Sequence, residues 1–178
     1  PVPPWSPLQV RSAISWLLKV RHGQQCFAHG FEESEMTYMT RSWKYLKDRS
    51  WIGMGADFAR QLRESARPAQ IAYVRIMTKH CGDPSGVEYR HHSDSERWAF
   101  VLPDASGDGM RIQFFDLRSF SGHQCYKTLD EAVQEMVKQG YWIEDPGVLD
   151  RLSTTSAWAE GLAWLDRVFR ASAPRAAA

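Results

Sequence analysis

Hydrophobic and polar positions divide the chain into a helical stretch, a strand-rich stretch and a return to helix. Ser6 followed by Pro7 makes a helix start, and Ala13, Ile14, Leu17 and Leu18 continue on one face toward a stop at Gly23. A second helix is predicted from Glu32 to Lys47, with Met36, Met39, Trp43 and Leu46 at helical spacing and basic residues late. The stretch "GADFARQLRESARP" supplies a third, shorter helix carrying Phe58 and Leu62 and ended by Pro68.

From residue 69 the pattern reads as strand. "AQIAYVRIMTKH" is β-branched and aromatic, and "VEYRHH", "RWAFVLP" and "GMRIQFFDLRS" follow, separated by turn signals. Four strands between residues 69 and 119 predict a mixed or antiparallel sheet. Thr128 and Glu131 then form a capping box, and Gly140 closes that helix. After "EDPG", Trp158, Leu162, Leu165 and Phe169 mark one stripe of a final helix. The class is α+β, one domain over 1–178: a helical N-terminal third (1–67), sheet and following helix (69–140), and C-terminal helices (146–171).

Composition adds limits. The 178 residues are 43% hydrophobic, with eight Trp and eight Phe, enough to bury a core. The longest apolar runs are far short of a bilayer span, which predicts no membrane insertion. Cys26, Cys81 and Cys125 are widely spaced and odd in number, which argues against a disulfide framework or a zinc ribbon and suits a reducing cytoplasm. The net charge is only +1, but seven basic residues face three acidic ones between Arg41 and Arg67. Arg41, Lys44 and Lys47 recur every three residues, a stripe that either tracks a phosphate backbone or complements its helix dipole in water.

Three places carry candidate chemistry. In "SFSGHQCYKTLDEAVQEM" a strand is expected to pass through a Gly-containing turn into a helix N-terminus, where unpaired amides favour an anion. Gly122 allows close approach, His123 and Lys127 add donors, and Thr128 either helps to hold phosphate or only caps its helix. The Walker sequence is absent. "EYRHHSDSERW" is the densest polar stretch, and it is either a solvated hairpin loop or a site using Glu96 and Arg97 at the entry to a strand. His91 and His92 are expected on opposite faces, as neighbours on a strand. Asp116 and Arg118 share a face at the end of their strand, where the arginine binds phosphate or pairs with the aspartate.

The turn "SFSGHQCY" resembles the signature turn of the sulfiredoxin and ParB fold, with Ser119, Phe120, Gly122 and Tyr126 on matching positions. His123 stands where sulfiredoxins carry the reactive cysteine, and Ser121, Gln124 and Cys125 also depart from the signature. More widely, "VPPWSPLQVRSAISWLLKV" through "KTLDEAVQEMVKQGYW" resembles the plasmid-borne fertility-inhibition factors of the oncogenic-suppression type. The resemblance implies a small mixed sheet of the ParB/sulfiredoxin type and an inhibitor of DNA export through type IV secretion systems, with ATPase and DNase activity. Under it, Gly122, His123, Lys127 and Thr128 would hold ATP. Glu96, Arg97, Asp116 and Arg118 would act in catalysis, and Arg41, Lys44 and Lys47 would contact the transferred DNA. A divalent metal such as Mg²⁺ is compatible with it, although no HxH, HExxH or DxD spacing marks its ligands. Two alternatives stand beside it: a docking module that blocks a secretion or conjugation component without chemistry, and a sulfiredoxin-like redox protein using Cys125.

Overall fold

A computed structural model describes residues 38–49 and 51–172. The expected helix from Ser6 therefore lies outside the described residues, as does the first part of the helix expected from Glu32. Within them α1 spans Arg41–Lys47, α2 Ala56–Lys79, α3 Leu129–Lys138, α4 Val148–Ser153 and α5 Ser156–Ser172. The strands are β1 Tyr89–His91, β2 Arg97–Pro103, β3 Met110–Asp116, β4 Phe120–Tyr126 and β5 Tyr141–Glu144. They form one sheet in the order β4-β3-β2-β1-β5 with every neighbouring pair antiparallel, so the mixed sheet gives way to an antiparallel one.

The alternation of β2 explains the layers. Ala99 and Val101 point to one face and pack with Tyr73, Ile76 and Met77 of α2 and Val133, Met136 and Val137 of α3. Trp98, Phe100 and Leu102 point to the other face and meet Phe115, Val148 and Leu149, and Trp158 of α5. A strand covered on both sides reads as an unbroken apolar run, and "RWAFVLP" does.

Four local expectations change. "AQIAYVRIMTKH" is the second half of α2, not a strand: Ala66, Gln70, Tyr73, Ile76 and Met77 are buried at helical intervals. Pro68 lies inside that helix and does not end it. The first described helix starts only at Arg41, because the Thr40 hydroxyl accepts from the Trp43 amide and fixes the start there. "YWIE", unassigned from the sequence, is a fifth strand beside β1. The N-cap half of the expected capping box forms, with Thr128 Oγ1 accepting from the Glu131 amide at 3.2 Å, while the Glu131 carboxylate pairs with Arg41.

The cysteines also differ from expectation. Cys81 is disulfide-bonded, while Cys125 is free and exposed.

Candidate functional site

The register brings the four expected catalytic residues to one end of the sheet. Arg97 at the start of β2 is the cross-strand partner of Asp116 at the end of β3. Glu96 precedes β2 in the β1–β2 loop, and Arg118 lies in the turn between β3 and β4. Asp116 closes that turn, because its Oδ1 accepts from the amides of Arg118 at 2.8 Å and Ser119 at 3.2 Å. The Arg118 side chain is left exposed.

The same turn meets α5. Gly161 packs against Arg118 so tightly that a Cβ would overlap the Arg118 carbonyl oxygen. Between them opens a groove of about 710 Å³ lined by Asp116, Arg118, Ser119, Phe120 and Ser121 from the hairpin and Ala157, Gly161, Trp164 and Leu165 from α5, with Glu160 and Arg167 alongside. Trp164 is 56% exposed. The sequence stripe of α5 picks out its core face through Trp158 and gives no signal for Trp164, which sits off that stripe.

The expected nucleotide residues do not gather. Gly122 and His123 lie inside β4, so the Gly-containing turn does not form there. A one-residue irregularity brings Phe114 opposite Gly122 but Phe115 opposite Phe120, which leaves Ser121 as the extra residue. Lys127 and Thr128 follow the far end of β4, about 13–17 Å from His123 at the ordinary rise of a strand. His123 is the partner of Gln113, and burial, then the neighbouring Arg111 guanidinium, hold it below the usual histidine range. The alternation of β4 puts Cys125 on the same side, with Sγ 3.7 Å from Asp104. Burial and Asp104 push its thiol up, which disfavours the thiolate a redox role needs.

The expected DNA stripe is shortened. Arg41 is tied to Glu131 at 2.5 Å, and its amide donates to Gln134, so it pins α1 to α3. Lys44 and Lys47 occupy the last turn of α1 and are exposed.

A second constellation lies where β1 meets β5. His91 and His92 have ring centroids 4.9 Å apart. Neighbours on a regular strand would diverge, but the register shifts between Arg90 and His91, and both rings turn over Gly140. Tyr141 and Trp142 of β5 complete the group.

Among the described residues no three His, Cys, Asp or Glu side chains stand together as a metal would need. Among the same residues no helix is long and apolar enough to cross a membrane. No family model, curated protein or solved structure matches the chain.

Proposed function

We propose that this chain is a docking inhibitor, a binding module of the type its resemblance to fertility-inhibition factors implies. It acts on a component of a conjugative or type IV secretion system through the groove between the β3–β4 turn and α5. The observation that carries the reading is the groove itself, where an exposed tryptophan stands beside two arginines. Tryptophan and arginine are the residues that most often anchor protein interfaces, because each adds large contact area with a directed polar group. One carboxylate oxygen of Asp116 closes the turn, and the residues expected to hold ATP are spread along β4 and beyond it. Both points favour binding over hydrolysis.

The second reading is the ATP-linked DNase of the same resemblance, acting on the transferred strand. The pairing of Arg97 with Asp116, flanked by Glu96 and Arg118, favours it. Cleavage of plasmid and single-stranded DNA by the purified protein, with and without Mg²⁺ and ATP, separates the two. The docking reading expects no cleavage and no ATP turnover above a mock purification. Cleavage lost in Glu96→Ala and Arg118→Ala, at unchanged melting temperature, would replace it with the DNase.

A further inference from the structure

We propose that His91 and His92 form a pH-sensitive clasp that holds the β1–β2 loop against the turn between α3 and β5. The hydrogen bonds fix both tautomers. His91 Nδ1 lies 3.3 Å from the Ser93 amide, and a backbone N–H can only donate, so Nδ1 is the acceptor and the ring proton sits on Nε2. The Ser93 hydroxyl stands at 3.3 Å from the same nitrogen. The Gln139 carbonyl at the end of α3 lies near the His91 ring. His92 has the opposite tautomer: its Nδ1 lies 3.2 Å from the Gly140 carbonyl, which can only accept, and its amide donates to that same oxygen at 2.8 Å. The His92 ring stacks on Trp142 at 4.3 Å, and the His91 ring meets the edge of Tyr141 at 5.0 Å.

A clasp built this way requires a neutral His91. A second proton on Nδ1 would face the Ser93 N–H, turning an attraction into a repulsion and releasing the start of the loop that carries Asp94 and Glu96. The surroundings work in the same direction. Burial comes first, and His92 and Arg97 then oppose a positive charge, while Asp94 and the Gln139 carbonyl favour it less strongly. Tyr141 presents its ring from β5 and adds no charge. His92 is held by its stacking on Trp142 and by its bond to the Gly140 carbonyl. A proton on His91 therefore opens the loop, because it removes the acceptor for the Ser93 amide. The inference stands apart from the docking reading, since it uses neither Trp164 nor Arg167.

Amide hydrogen exchange by NMR on the wild-type protein, with histidine ring signals followed from pH 8 to 4.5, tests the clasp. The expected result is that His91 titrates below about 6.5, the ordinary histidine value. Normalised protection of the His92 and Ser93 amides should fall by up to about tenfold per pH unit below that value, the slope of one coupled proton. Protection in α2 should fall less steeply than that of His92 and Ser93 over the same range. In His91→Gln the loss at His92 should no longer depend on pH. A His91 that titrates at or above its ordinary value would overturn the clasp. So would protection at His92 and Ser93 that does not change with pH, or that is lost only together with α2.

Discussion

Gly161 of α5 and the carbonyl of Arg118 in the β3–β4 turn are in such close contact that no other residue fits at position 161 without moving one of them. This contact sets the width of the groove. Gly161→Ala should destabilise the protein by about 1–3 kcal/mol, the usual cost of overpacking, although alanine is the better helix former. Denaturant unfolding checks this, and a neutral or stabilising result would mean that α5 does not seat on the turn.

Gln70 joins α2 to the chain entering α1. It is buried, its Oε1 accepts from the Thr40 amide at 2.8 Å and hydroxyl at 3.0 Å, and its Nε2 donates to the Tyr38 carbonyl at 2.9 Å. Gln70→Ala leaves those groups without it and should cost about 1–3 kcal/mol. The measurement is the midpoint of urea unfolding, with Gln70→Glu as the charged comparison.

Pro68 is exposed in the middle of α2, where it has no N–H to give to the Glu64 carbonyl. Pro68→Ala should raise stability by about 2 kcal/mol, the helix gain less the entropy returned to the unfolded chain. A higher melting temperature with slightly greater helical circular dichroism is the expected result.

Acid should destabilise the fold in two stages. Burial together with nearby cations depresses His91 and His123, so the unfolded chain binds these protons first as pH falls. Their contribution is full above about 6.5 and declines below it. Two carboxylates follow. The Ser106 hydrogen bond, with Arg111 adding to it, lowers Asp104; burial tends to raise Glu144, but Lys79 and His80 outweigh it. Their contribution is present above the ordinary carboxylate range and is lost as pH falls through their depressed values. Melting temperature against pH should show a first decline below about 6.5 and a second below about 4. In His123→Gln the first decline should be smaller.

The sequence was informative where one signal dominated. "RWAFVLP", bounded by turns, marked β2, and Thr128 with Glu131 marked the start of α3. It misled where two signals competed. In "AQIAYVRIMTKH" the β-branched and aromatic content suggested a strand, yet Gln70, Tyr73 and Met77 already carried the helical period, and Ile71 is exposed because it lies on the outer side. "SFSGHQCY" was read as a turn because of its glycine and its resemblance to a signature. As the edge strand beside β3 it needs polar residues on its open side, and that makes it look like a loop. The sheet end holding Glu96, Arg97, Asp116 and Arg118 could be guessed from alternation. The convergence of His91 and His92 could not, because it depends on a register shift against β5 that appears only once β5 is in place.

The central claim is that the groove beside Trp164 acts by binding. The most direct test is conjugative transfer frequency from donor cells producing the wild-type protein, Trp164→Ala or Glu96→Ala, with the purified variants matched for melting temperature. The account predicts that wild type and Glu96→Ala suppress transfer alike, while Trp164→Ala loses most of the suppression. Suppression kept by Trp164→Ala, or lost only in Glu96→Ala, would contradict it.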